Sequence, residues 1–570
     1  MSAILGLNYG HDSSAALVVD GELVADVSEE RFSRVKNDGS FPRKAIEYCL
    51  SEGGIRSTDL AKIVFATTRP QLDIGRYFNC DIEQITRPMA LKGLRGWFRR
   101  ARFDREQRKG LPSYLDRLEV SPRAQFAFED HHLCHAASAY FSSGFPIEDS
   151  SLVITLDGVG DGISASIWIF QGNRGTLLYK AGINGSLGMF YSNATEALGW
   201  RHGSDEWKVM GLAPYGSAQE GLLQQWIPEY SKGKLHKGVE WGRFQKFNDH
   251  GAFHFYNSTS GRMALLLGRV SREDFAAEVQ AAVEAQAMGI VKHWSAETGA
   301  RRLACAGGFF LNVKFNQSVW YTGLFDQQWI YPNSGDSGLS AGAALYHAFN
   351  GVNTQAPRLS HNYLGPGYDD EEILSVLEGR GIDHEKPKNL TAVVADLLSR
   401  NLVIGWFQGR MEAGPRALGS RSILMSPLRS ENKDLINEKV KFRESFRPFC
   451  PSILEEDLQK YLDRPWPDRF MTTSFRVLDQ QRGSIPAVVH VDGTARPQSV
   501  SRDTNPLFWE LLSEFKSRTG HGVLMNTSFN VKGEPIVTSP RDAIRTFFDT
   551  GLDALVLGNF LVRKPRAARG

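Results

Sequence analysis

The sequence predicts an α/β protein of two domains, 1–355 and 356–570, the first of them two-lobed and built from a duplicated β-hairpin unit. Three observations predict it. Ile4 to Val27 reads as strand, turn, strand, an Asp20-Gly21 turn and a third strand, and an Asp-Gly pair between β-rich runs is a hairpin signal. The same order returns as a strand at Leu152 to Leu156, a turn at Asp157 to Gly162, a strand at Ile163 to Phe170, a Gly172-Asn173 turn and a strand from Thr176. Around Gly351 to Pro357 the pattern lapses into turn formers, followed by Leu364-Gly365-Pro366-Gly367, which marks the boundary.

A duplicated strand-turn-strand with an Asp on each turn resembles the actin, sugar-kinase and heat-shock-chaperone ATPase superfamily, whose two lobes close on a nucleotide. Between the units, Glu273 to Trp294 carries an amphipathic stripe (Phe275, Val279, Val283, Ile290, Trp294) and reads as a core helix. A shorter helix begins at Asp130-His131-His132-Leu133-Cys134-His135. His131 and His135 stand four residues apart, on one face, close enough for both imidazoles to bind one metal ion. On a helical wheel they fall opposite the stripe of Leu133, Ala136, Ala137, Tyr140 and Phe141, so the helix is expected to turn the pair away from its packing side.

Composition narrows the function classes. With 66 basic and 64 acidic residues the chain has no whole-molecule attraction for nucleic acid or an anionic membrane, so any recognition of anions must be local. Five cysteines, an odd number with no C-x-x-C pair, suit a reducing compartment. The first residues lack the pattern of a signal peptide and no run approaches ~18 apolar residues, so a cytoplasmic protein is expected. Lys92 to Lys109 is basic with interleaved aromatics, but Asp104 and Glu106 make a solvated helix the better reading. The basic tail from Arg563 to Gly570 is expected to fray.

The chemistry-bearing residues fall into four groups. Asp157, and Asp336 in Asn333-Ser334-Gly335-Asp336-Ser337-Gly338, are acids on turns that can complete a two-imidazole, two-carboxylate shell suited to Fe(II), Mn(II) or Zn(II). Gly307-Gly308, after an apolar segment, allow close backbone approach to a nucleotide. No G-x-x-x-x-G-K-[ST] or G-x-G-x-x-G run supports a P-loop or Rossmann site. The last domain concentrates anion-binding groups, from Gly409-Arg410 through Arg416 and Arg421, then Lys439 to Arg447. Met525-Asn526-Thr527-Ser528-Phe529-Asn530 places hydroxyls and amides after an apolar strand.

Together these segments resemble the NodU/CmcH carbamoyltransferase family of nodulation and antibiotic biosynthesis. The matching residues are His11-Asp12, Glu29-Glu30-Arg31-Phe32-Ser33-Arg34 with Lys36, Asp130-His131-His132 with His135, and Lys208 to Gly216. Gly307-Gly308 with Asn312, Gly335 to Gly338, Gly414 to Ser422, Lys441-Phe442-Arg443-Glu444 and Asn526 to Asn530 continue the match in family order. The resemblance implies an actin-like domain followed by a YrdC-like α/β domain. It implies that the YrdC-like domain makes carbamoyl-adenylate from carbamoyl phosphate and Mg-ATP, and that the actin-like domain passes the carbamoyl group to a hydroxyl of a small natural product. Nucleic-acid and membrane partners are not expected, and a homo-oligomer is allowed.

Carried over residue by residue, His131, His135, Asp157 and Asp336 would be metal ligands, with iron the expected ion. Gly307, Gly308 and Asn312 would hold the adenylate; His11 and Lys36 would serve the transfer site, with His11 the base. Arg416, Lys441, Arg443, Ser528 and Asn530 would grip ATP and carbamoyl phosphate, with Met471 walling the pocket. The lead-in Ser204-Asp205-Glu206-Trp207 departs from the family's usual Gly-Glu, and Gln71 to Leu118 has no clear family match; both bear on acceptor choice. Two rivals remain at this level: a serine hydrolase using Ser337, and a nucleotide-regulated actin-like ATPase or scaffold without carbamoyl transfer.

Overall fold

The computed structural model describes residues 2–67, 120–121, 123–241, 244–249, 252–444 and 446–564. The basic stretch Lys92 to Lys109, the segment Gln71 to Leu118 and residues 565–570 of the tail lie outside the described residues. The chain forms two compact units, one of Met1–Asp26 with Gly39–Leu359 and one of Val27–Asp38 with Ser360–Gly570. The second unit therefore includes a short strap from near the start of the chain, which the sequence does not announce.

The first unit holds two five-stranded sheets. One contains β1 (Ala3–Asn8), β2 (Ser14–Val19), β3 (Glu22–Ser28), β4 (Leu60–Phe65) and β5 (Gln125–Phe128) in the order β3-β2-β1-β4-β5. The other begins with β6 (Ser151–Gly160), β7 (Ile163–Gln171) and β8 (Arg174–Gly182). Two small hairpins follow, β9 (Glu229–Ser231) with β10 (Lys234–Lys237) and β11 (Phe244–Asp249) with β12 (Ala252–Asn257). The second sheet is completed by β13 (Arg302–Ala306) and β14 (Gln327–Ile330), in the order β14-β13-β6-β7-β8. In each sheet the first strand pairs antiparallel with the second and parallel with the fourth, so the repeated sequence unit is also a repeated topology.

One boundary moves. The turn expected from Asp157 is still strand: β6 runs on to Gly160, with a register shift between Leu156 and Gly160, and the tight turn falls at Asp161-Gly162. Asp157 therefore sits on an irregular strand end, where a bulge can re-aim a side chain.

The His131–Ser143 helix does not show the expected division into packing and open faces. It packs against the Leu339–Phe349 helix, β6 and β13 together, and nearly every residue in it is buried, both histidines included. A helix enclosed on several sides needs small residues as well as large ones, which Ala136, Ala137 and Ala139 supply. The core helix expected from Glu273 is the Arg272–Thr298 helix, N-capped by Ser271.

The second unit is built on an eight-stranded mixed sheet. Its strands are β15 (His384–Glu385), β16 (Ile404–Phe407), β17 (Arg421–Met425), β18 (Cys450–Leu454), β21 (Gln498–Val500), β22 (Val523–Ser528), β23 (Ala554–Leu557) and β24 (Phe560–Arg563). A side ribbon pairs β19 (Phe475–Arg476) with β20 (Thr494–Ala495). The Leu390–Ser399 and Pro506–Thr519 helices share a core with the sheet through Leu398, Trp406, Leu424, Phe508 and Phe515. The strap locks into this unit: Arg31 donates to the Gly414 carbonyl at 2.8 Å, Thr538 Oγ1 donates to Arg31 O at 2.8 Å, and Arg34 reaches the carbonyls of Pro535 and Ile536. Described cysteines are free and buried, and no helix among the described residues is long and apolar enough to cross a membrane.

Candidate functional site

In the first unit, ligand atoms of His131, His135, Asp157 and Asp336 all lie within 4.8 Å of one another. His131 Nε2 is 3.6 Å from Asp157 Oδ2 and 3.6 Å from Asp336 Oδ1, while His135 Nε2 is 3.7 Å from Asp336 Oδ1. These separations exceed hydrogen-bond length and suit groups facing a common centre. His131 Nε2 and both ring nitrogens of His135 are buried with no hydrogen-bond partner among the described residues. Buried polar atoms are rarely left so, and a cation among two imidazoles and two carboxylates would satisfy one nitrogen of each ring. The residues present therefore fit a divalent first-row metal.

The scaffold explains how each ligand is held. Asp130 caps the His131–Ser143 helix by accepting from Leu133 N at 2.9 Å, and Asp161 accepts from His131 N at 3.0 Å. Asn8, at the end of β1, donates to the carbonyls of His11, Asp12 and Asp336, tying the first turn to the loop of the fourth ligand. Gly308 N–H donates to Asp157 Oδ1 at 2.8 Å, and Gly307 at φ +105° lies so close to Leu156 that a Cβ there would meet its carbonyl oxygen at 2.1 Å. The glycine pair thus orients a ligand carboxylate. Asn312 N-caps the Val313–Tyr321 helix through Phe315 N and pairs with Gln280, which uses most of its amide.

Electrostatics within the cluster are strong. Burial works against a charged His131, yet Asp336 and Asp157 outweigh it and lift the imidazole to about 9. Burial alone would raise Asp157, but His131 and His135 beside it hold its carboxyl well below the usual range. The neighbouring His132 faces away from the cluster, bonded to Thr155 Oγ1 at 2.7 Å and Ile163 O at 3.0 Å, and burial pushes it down to about 4. His11 is more open: the Asp12 carboxylate 3.2 Å away, with Asp336 at 4.0 Å, holds it up to about 10. An imidazolium donates protons, so the base role expected from the sequence requires the negative charge around His11 to be neutralised. Ser337 Oγ donates to Asn333 Oδ1 at 2.6 Å rather than to a histidine, which removes the hydrolase arrangement.

Lys36 belongs to the strap and hence to the second unit, whereas His11 belongs to the first. In the second unit, Lys441 Nζ is buried against the Ser528 carbonyl, Asn530 O at 3.0 Å and Asn530 Oδ1 at 2.9 Å, so three of the expected residues meet. Burial, with Arg443 and Arg447 nearby, pushes the Lys441 ammonium down. Burial likewise takes Arg416 and Arg443 to about 9, with Arg496 a neighbour of the first and Arg447 of the second. Arg416 makes no hydrogen bond or ion pair among the described residues. Arg496 grips Cys450 Sγ through Nη2 at 2.9 Å.

Five cations thus gather here, with Glu444 a carboxylate 3.4 Å from Arg447. Such an arrangement is built for an anion. Met471 is buried at φ +57° in a loop held by Asp468, which accepts from Phe470 N, Thr472 N and Thr473 N. Arg496 and Asn8 escaped the sequence reading: each stands outside a charged or glycine-rich run, and only the fold brings them to these sites.

The family model described as Carbamoyltransferase N-terminus matches residues 3–345, and the one described as Carbamoyltransferase C-terminus matches 395–564. Nodulation protein NolNO of Sinorhizobium fredii is 35% identical, with 98% of this chain and 80% of that one aligned. Nodulation protein NolO of Bradyrhizobium diazoefficiens is 39% identical over 77% of this chain and 79% of its own. An uncharacterized protein of Methanocaldococcus jannaschii is 32% identical over 99% and 100%. Among solved structures, full-length HypF in its phosphate- and nucleotide-bound form aligns at TM-score 0.33 and 12% identity over 61% of this chain and 55% of that one, too slight a likeness to define a common fold.

Proposed function

The chain belongs to the carbamoyltransferase family, and from that premise we propose that it carries out ATP-dependent O-carbamoylation of a hydroxylated small molecule. In the second unit water cleaves carbamoyl phosphate to carbamate and phosphate, and the carbamate oxygen then displaces pyrophosphate from the α-phosphorus of ATP to give carbamoyl-adenylate. The first unit then transfers the carbamoyl group to an acceptor hydroxyl, releasing AMP. The cation cluster of Arg416, Lys441, Arg443, Arg447 and Arg496 is the observation that carries this reading, because a triphosphate with an acyl phosphate needs that much positive charge in one place. The second unit is read as YrdC-like and the first as actin-like, the latter supported by its two sheets of matching strand order.

His131, His135, Asp157 and Asp336 would hold the metal, for which we propose Fe(II), and the bound ion would supply Lewis-acid polarisation and charge neutralisation at the carbamoyl donor. Gly308 N–H keeps Asp157 oriented, and Asn8 fixes the His11 turn beside Asp336. His11 borders the ligand set with its side chain open, and we assign it the acceptor's proton. Arg416, without a hydrogen-bond or ion-pair partner among the described residues, and Lys441 neutralise the phosphates during adenylation. The acceptor belongs to the hydroxylated natural products, and the reaction is assigned to the cytoplasm, without nucleic-acid or membrane partners.

The test is product analysis. Pyrophosphate and AMP should appear from ATP when carbamoyl phosphate is added, and mass spectrometry of a panel of hydroxylated acceptors should find a gain of one carbamoyl group. ADP formation independent of carbamoyl phosphate would overturn the adenylate scheme and favour a regulated ATPase.

A further inference from the structure

The loop joining the Leu187–Ala197 and Glu206–Leu212 helices borders His11 at the ring nitrogen that Asp12 does not engage. Gly203, at φ +71°, lies there: a Cβ on it would have His11 Nε2 as its nearest heavy atom, at 3.6 Å. One oxygen ties Gly203 into the fold. Glu206 Oε1 accepts from Gly203 N–H at 2.6 Å and from Ser192 Oγ–H at 2.6 Å, linking the loop to the neighbouring helix.

We propose that Glu206 is a positioning residue, which fixes Gly203 against the Nε2 edge of His11 and so sets the gap through which an acceptor hydroxyl reaches that ring. The proposal rests on the reading of His11 as a transfer-site group. The tie needs an acceptor oxygen rather than a charge: both bonds go to a single atom, and burial raises the Glu206 carboxyl above its ordinary range. An amide can therefore replace it, whereas truncation cannot. Asp205, which bonds Arg201 N at 3.1 Å and Lys208 at 3.0 Å, holds the rest of the loop independently, so losing the Glu206 tie should free Gly203 without unravelling the fold.

The test uses the full-length chain and diethyl pyrocarbonate as the probe of His11, read by peptide mass spectrometry at one fixed pH. Glu206→Ala should label His11 about fivefold faster than wild type, as expected for losing one net hydrogen bond that holds the loop closed. Glu206→Gln should label at the wild-type rate, and Ser192→Ala should move in the same direction as Glu206→Ala, keeping the test alive if the latter fails to fold. Wild-type labelling in both truncated variants, or Glu206→Gln labelling as fast as Glu206→Ala, would overturn the proposal. Carbamoyl-phosphate-dependent pyrophosphate release, measured alongside, should be the same in all of them. Its absence from the wild-type chain would refute the overall reaction and leave the labelling rates to judge the loop by themselves.

Discussion

Asp26, at the end of the first unit's opening segment, is 1% exposed, and its Oδ2 accepts from Tyr331 Oη at 3.2 Å and Asn333 Nδ2 at 3.3 Å while Oδ1 has no hydrogen-bond partner among the described residues. Burial pushes this carboxyl up from its ordinary 3.8 to about 7, against the pull of those two donors. Between those values the folded chain keeps a proton that the unfolded chain releases. The stabilisation is therefore fully present below the unfolded value and is lost as pH rises through the folded one. From about pH 5.5 to about pH 8 the loss should be about 2 kcal/mol. Asp26→Asn keeps an oxygen for the two donors and has no proton to lose, so it should gain that amount relative to wild type over the same interval. Urea unfolding of both chains at the two pH values measures the difference, and hydrogen exchange in β14 assigns it to the first unit rather than the second. If the two chains lost equal stability between those pH values, Asp26 would not be the buried acid described.

Removing a ligand by His135→Ala or Asp336→Asn should take metal content, by elemental analysis of anaerobically purified protein, from about one ion per chain to background. Gly160→Ala would place a methyl 2.0 Å from His131 Cδ2; the overpacking should cost about 1–3 kcal/mol in unfolding experiments and lower metal affinity, since the ring must move. Arg496→Leu should reduce carbamoyl-phosphate-dependent pyrophosphate release about 10–100-fold, the range of one charge-assisted hydrogen bond, and wild-type rates would remove Arg496 from the anion cluster.

The duplicated unit was legible because an Asp-Gly turn between β-rich runs is a local signal, and local signals survive folding. The His131, His135, Asp157 and Asp336 cluster was legible as a set, through spacing for the histidines and through turn chemistry with family resemblance for the two acids. Their surroundings were not. The wheel that turned the two histidines away from the packing stripe assumed one buried face, but the helix is enclosed by the Leu339–Phe349 helix, β6 and β13 together, and enclosure is a property of the tertiary fold. Asn312 shows a different limit: an Asn after Gly-Gly matches a nucleotide motif and an N-cap equally well, and the cap bond to Phe315 N is visible only in three dimensions. Lys36 was read alongside His11 through the family resemblance; the strap that carries it belongs to the second unit, an assignment only the fold displays.

The strap also bears on how the molecule can be made. Arg31 is 383 residues ahead of Gly414 and 507 residues ahead of Thr538 in order of synthesis, so both partners emerge from the ribosome long after it. At about 5–20 residues per second it waits roughly half a minute to two minutes for Thr538. A contiguous fragment from Ser360 onward would lack the guanidinium groups that satisfy the Gly414, Pro535 and Ile536 carbonyls. The second unit is thus no cassette to be excised or fused elsewhere as a single stretch of gene: its completion is tied to the strap Val27–Asp38, more than 300 residues away in sequence.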